Sequence, residues 1–171
     1  MGSCKTCHRA LGNVALAVLA LALCGPWPAP AQAQDKLDRY QAQFAAEPNP
    51  ARKAKILGEM GPLEIALMRT TFKSGQDEKA LDILMHYSDD VHMTVAALNA
   101  TGVDPVSHPN GFKELQIGLR VSLRQLDDLI LEMPVDKRPF FRAVRMDLGD
   151  VENNLIDALF PTSNKSLKKK D

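Results

Sequence analysis

Phe112, Leu115, Leu119, Leu123, Leu126, Ile130 and Met133 recur at spacings of 3, 4, 4, 3, 4 and 3. That rhythm puts every large apolar side chain on one side of an α-helix, and the helix must then bury that side against other helices. The 3-and-4 spacing returns along the rest of the chain, whereas alternation of apolar and polar residues is absent over any useful length. Fully burying one Leu or Phe is worth about 1.5–3 kcal/mol, so these stripes decide the fold more than polar pairs do. The pattern predicts an all-α fold, either an antiparallel helical bundle or stacked helical hairpins of four to five helices.

Five segments carry the pattern. The first, 35–46, sets Leu37, Tyr40 and Phe44 on one face and is ended by Pro48 and Pro50. The second starts near residue 51 with a stripe of Ile56, Met60, Leu63 and Leu67. Gly61-Pro62 is expected to kink or split it, and Gly75 to close it. The third, 77–99, aligns Leu81, Leu84, Tyr87, Val91, Val95 and Leu98. A loop rich in Gly, Pro, Asp and Asn leads to the fourth, 111–131, which ends at Pro134. On its outer side Arg124 and Asp128 can pair across one turn. The fifth, 136–159, carries Phe140, Val144, Leu148, Val151, Leu155 and Leu159, with Pro139 in its first turn and Phe160-Pro161 as its stop.

Ahead of these helices, residues 1–33 read as a cleavable secretory signal. Lys5 and Arg9 precede an apolar stretch from Val14 to Leu23. Gly25, Pro26, Pro28 and Pro30 then break the helix, and Ala31-Gln32-Ala33 offers a small-x-small cleavage site. The apolar stretch is too short to cross a roughly 30 Å hydrocarbon core. The domain expected after export is 34–161, followed by a basic, disordered tail at 162–171 with Lys165, Lys168, Lys169 and Lys170. The destination is periplasmic or secreted. Contact with a membrane is expected only through an uncleaved leader or, less favoured, a lipid on Cys24, because Leu23 stands where a lipobox wants a small residue. Cys4-Lys5-Thr6-Cys7-His8 has the c-type haem attachment spacing, but it lies in the discarded segment.

All three cysteines, at 4, 7 and 24, fall in the leader, so the exported domain has no disulfide and no thiolate ligand. The leader holds two basic residues and no acidic one, so its loss moves the net charge from 0 to −2. That near balance argues against nucleic acid as a partner.

The second and third helices resemble a tetratricopeptide-type helical hairpin across residues 63–90. Leu67, Gly75-Gln76-Asp77-Glu78-Lys79-Ala80-Leu81 and Leu84 stand at the spacings of that repeat's turn and second helix. Met68, Thr71 and Tyr87 depart from its preferred residues, and no second copy is visible. The resemblance implies helical-hairpin packing and, by analogy, a protein-binding surface. His108-Pro109-Asn110-Gly111-Phe112, Leu126-Asp127-Asp128-Leu129 and Leu159-Phe160-Pro161 are similar to segments of small exported bacterial helical proteins of unknown function.

No catalytic, cofactor or metal constellation stands out. His86 and His92 are six apart and face different ways on one helix. His92 with Asp89 makes at most half a metal site, and a solvated polar face is favoured. Met85 reads as a core filler. His108, beside Ser107 in the loop, reads as a turn residue. The carboxylates Asp127, Asp128, Asp147, Asp150 and Glu152 lie off the stripes. Arg120, Arg124, Arg138, Arg142 and Arg145 form the one cluster that could contact an anion or a partner, although pairing with nearby aspartates is favoured. The sequence therefore points to a non-enzymatic exported protein-interaction or scaffold domain, with a groove or apolar patch beside the second and third helices. The alternative is a bundle that binds a small ligand or a metal, which requires a polar-lined cavity or histidines 86 and 92 converging with a third ligand. An enzyme would require a cleft holding two perturbed titratable groups.

Overall fold

A computed structural model of the chain describes residues 30–161, and every described element is helical. The helices are α1 (Pro30–Ala46), α2 (Pro50–Lys73), α3 (Asp77–Ala100), α4 (Phe112–Glu132) and α5 (Arg138–Leu159). The leader motifs through residue 29 and the basic tail from 162 lie outside the described residues. Helix α1 starts five residues before the position expected from its stripe. Proline is tolerated in a first turn, and Ala31-Gln32-Ala33-Gln34 are good helix formers.

Local chemistry sets the boundaries. The Asn49 side chain accepts from the N–H groups of Ala51 (3.0 Å) and Arg52 (3.1 Å), and Pro50 opens α2 where its missing N–H costs nothing. Gly75 turns α2 into α3 at φ +79°, in the left-handed region that favours glycine. At the start of α4, the Glu114 carboxylate accepts from the Gly111 N–H at 2.6 Å.

The stripe of α4 is buried throughout, from Phe112 to Met133. Two other stripes come out differently. In α2 only Met60 of the four expected residues is fully buried. Ile56, Leu63 and Leu67 are half-buried, while Ala54, Leu57, Gly58, Gly61, Ile65 and Met68 form the core face. Helix α2 packs against α1, α3 and α4, so its buried arc is wide and uses small residues that a count of large apolar side chains passes over. In α5 the core aromatic is Phe141, 3% exposed, and not Phe140, 64% exposed. Phe141 sits edge-on to Phe72 of α2, ring centres 5.7 Å apart.

Pro62 does not split α2, which runs unbroken to Lys73. Lacking an N–H, it leaves the carbonyl of Gly58, four residues back, without its helical donor. That carbonyl lies against Gly118 of α4. A Cβ at Gly118 would come within 2.6 Å of the Gly58 carbonyl carbon, and one at Gly58 within 2.7 Å of the Glu114 oxygen. Glycines on both helices thus bring the two backbones together where the freed oxygen can meet a Cα–H.

The contacts arrange four helices in a ring, α2 to α3, α3 to α5, α5 to α4 and α4 to α2, with α1 packed chiefly on the outside of α2. Short turns make α2–α3 and α4–α5 hairpins. Between hairpins the pairs rise in step. Ala51 meets Gly111, Gly58 meets Gly118, and Lys73 meets Glu132 across α2 and α4. Asp77 meets Lys137, and His92 meets Asp147, across α3 and α5. The fold is therefore two helical hairpins stacked in parallel, with antiparallel packing inside each hairpin and between α1 and α2, where Tyr40 meets Glu59 and Phe44 meets Lys53.

Gly118→Ala should destabilise the domain by about 2–3 kcal/mol, because backbone faces backbone and neither can yield. Gly75→Ala, with open space around it, should cost about 1 kcal/mol through strain alone. Urea denaturation of both variants measures the difference, and equal losses would contradict this account of the helix crossing.

Candidate functional site

The five arginines do not converge on one site. Arg145 forks onto Asp127 (2.7 and 2.8 Å), and Arg120 pairs with Glu152 (3.0 Å). Arg138 donates to the carbonyls of Met133 (2.8 Å) and Leu131 (3.0 Å), closing the end of α4. Arg124 and Arg142 are exposed and have no ion-pair or hydrogen-bond partner among the described residues, so the expected Arg124–Asp128 pair is not formed. Arg142 and Arg145 line a shallow depression of about 500 Å³ between α4 and α5, together with Asp127, Ile130, Leu131 and Met146.

The histidines also separate. His92 meets Asp147 of α5 at 2.7 Å, and Ser88 donates to the same carboxylate oxygen at 3.0 Å. Asp147 thus ties α3 to α5, and these bonds hold its carboxyl below the usual range, His92 contributing most. The serine bonds the carboxylate and not the imidazole, so the trio is not a nucleophile–base arrangement. Asp89 is exposed, and no group of three or more His, Cys, Asp or Glu among the described residues could hold a metal. Met85 is half-exposed and fills no core gap. In the long loop Ser107 donates to Asp104 (2.6 Å) and not to His108.

The feature that sequence reasoning missed is Glu64. It lies on α2, four residues and so about one turn after Met60, in the arc that faces α1 and α3. It is 7% exposed. One carboxylate oxygen accepts a single long bond from Gln41 of α1 (3.3 Å), and the other has no partner among the described residues. Burial pushes its carboxyl up to about 7. Gln41 pulls it down by less, and Asp90 adds to the rise. Most unpartnered buried atoms in native proteins have a functional or structural reason.

Glu64 lines a half-open groove of about 390 Å³ between α1, α2 and α3. Phe44, Met60, Leu67 and Ile83 supply its apolar wall, and Gln41, His86 and Asp90 its polar edge. Asp90 is itself raised, first by burial, against the pull of Lys53 and His86. Lys53 rests its ammonium 4.4 Å from the centre of the Phe44 ring. The two carboxyl groups shift in the same direction, so they are not divided into an acid and a base, and the lining holds no serine, cysteine or lysine nucleophile. Leu67 is a half-buried position on the stripe of α2, and Ile83 is half-buried on α3 beside its stripe. The signal a reader could have used is a glutamate standing among apolar residues on a helix with three neighbours.

A carboxyl raised on folding stabilises the fold most below its unfolded value, and the benefit fades as pH rises toward 7. Wild-type stability should therefore fall by up to about 3 kcal/mol, relative to Glu64→Gln, between pH 4.5 and pH 8, as read by urea denaturation across that range. A constant difference would remove the buried-carboxyl account. Asp147 has the opposite sign. Its contribution is present at neutral pH and is lost as pH falls below about 4 and through its lowered folded value, so Asp147→Asn should cost about 1 kcal/mol at pH 7 and progressively less as the solution is acidified. No protein-family model matches the chain, and neither the characterised proteins nor the solved structures contain a significant match to it.

Proposed function

We propose that this chain is an exported, non-enzymatic binding domain whose ligand occupies the α1–α2–α3 groove. The observation that carries the reading is Glu64: a carboxylate kept in an apolar wall, at a cost to stability, with an unpartnered oxygen. A purely structural groove would be cheaper with glutamine or leucine at that position. Concave, mostly apolar sites with a few convergent polar groups are where small molecules bind. Export rests on the leader at 1–33, and no described helix is long and apolar enough to cross a membrane.

A second reading, a surface for another protein, is favoured by the α4–α5 end. Leu131 is 69% exposed there, Val135, Phe140 and Met146 are similarly bare, and Arg142 has no partner among the described residues. The tetratricopeptide-type resemblance of residues 63–90 belongs with this reading.

Titration with a set of small amphipathic compounds, followed by amide chemical shifts, separates the two. The groove reading expects changes centred on Phe44, Leu67 and Ile83, and their loss in Ile83→Arg with the melting temperature unchanged within about 3 °C. Changes confined to Leu131, Arg142 and Met146 would transfer the binding site to the α4–α5 end.

A further inference from the structure

We propose that the groove selects a small organic ammonium, its cationic head paired with Glu64 and its hydrocarbon laid along Phe44, Met60, Leu67 and Ile83. This rests on the groove reading above and names the ligand class for it. Four observations lead there.

First, Glu64 is more than nine-tenths buried, one of its oxygens has no partner among the described residues, and the other accepts a single 3.3 Å bond from the exposed side chain of Gln41. An ammonium has three donors, enough to replace that bond and fill the vacant oxygen at once. Second, a second carboxylate stands on the lining: Asp90 joins Glu64 there, so the groove favours a cation over an anion. Third, the Phe44 ring already holds an ammonium, that of Lys53, so the edge of the groove attracts this charge type from within the chain. Fourth, the remaining wall is hydrocarbon, and at about 390 Å³ the groove is at the small end of ligand pockets. A divalent metal is a poorer fit, since no group of three or more metal-binding side chains forms among the described residues. An anion would face two carboxylates.

The charged and titratable groups around Glu64 define the linkage. Helix α1 presents the uncharged Gln41, α3 presents His86, Asp90 and the buried Tyr87 hydroxyl, and α2 itself presents Lys53 beside Asp90. In the empty groove Glu64 carries a proton up to about pH 7. On binding, the protonated carboxyl and the incoming R–NH3+ become a carboxylate–ammonium pair, and one proton leaves to solvent. Charge is conserved, and affinity must rise with pH below 7 and level off above it.

The test is isothermal titration calorimetry of the full chain with n-hexylammonium, hexan-1-ol and hexanoate at pH 5.5, 6.5, 7.5 and 8.5, with amide shifts to locate binding. Hexylammonium should bind at Phe44, Leu67 and Ile83, gain about tenfold in affinity from pH 5.5 to 6.5, and gain less than about threefold from 7.5 to 8.5. Buffers of different ionisation heat should show close to one proton released at pH 5.5. Glu64→Gln should weaken binding at least tenfold at pH 8.5, and Lys53→Gln, which removes the resident ammonium, should strengthen it. Equal binding of hexan-1-ol, or affinity that falls with pH, would keep the groove as a site and overturn the ammonium assignment. No shift at the groove with any probe would overturn both the assignment and the groove reading.

Discussion

The close crossing of α2 and α4 at Gly58 and Gly118 is the contact on which the other packing depends. Pro62 takes a donor away from the Gly58 carbonyl, and a helix interior does not leave such an oxygen bare without cost. Here the oxygen is turned against a second helix that has no side chain in the way. Nearby, Gly61 lets the Tyr87 hydroxyl reach Ser122 at 3.1 Å, and Ser122 donates back to the Gly118 carbonyl at 3.1 Å. One small region therefore joins α2, α3 and α4 by backbone proximity and two linked hydroxyls. Every member is buried.

Because that contact holds α2 and α4 side by side in the same direction, the second hairpin lies on the first in register. Helix α5 is then carried beside α3, where Asp147 receives His92 and Ser88. It is carried also to the end of α2, where Phe141 meets Phe72. The polar ties at the hairpin interface, Arg69 and Lys73 to Glu132 and Lys137 to Asp77, are partly exposed and select register more than they add stability. The outer side of α2 is left for α1, which seats Leu37 and Phe44 and bonds Tyr40 to Glu59 at 2.8 Å. The groove is the space that this third layer does not fill.

The helices, their order and the seam of α4 were legible because large apolar residues at strict spacing have one low-energy arrangement. The face of α2 was not. Leu57, Ile65 and Met68 offer a second apolar stripe one position round from the expected one, and what selects it is the close approach at Ala54, Gly58 and Gly61, of which residue size gives no hint. Phe140 and Phe141 fit the α5 rhythm equally well, and only the position of Phe72 decides between them. Glu64 was hidden for a related reason. A single glutamate on a helix reads as solvated unless the helix is known to be enclosed. The arginines were legible as a group but not in their destinations, since Arg120, Arg138 and Arg145 are claimed by oxygens on Glu152, the end of α4 and Asp127.

Helix α1 has few neighbours, and that bears on how the groove is entered. Elements with little buried contact open at a small fraction of the free energy needed to unfold the whole domain. Lifting α1 from α2 would carry Gln41 and Phe44 away and return the Glu64 carboxylate to water, where it ionises readily. Ionisation of Glu64 at higher pH would therefore lower the cost of lifting α1, and the proton acts as a latch on this outer layer.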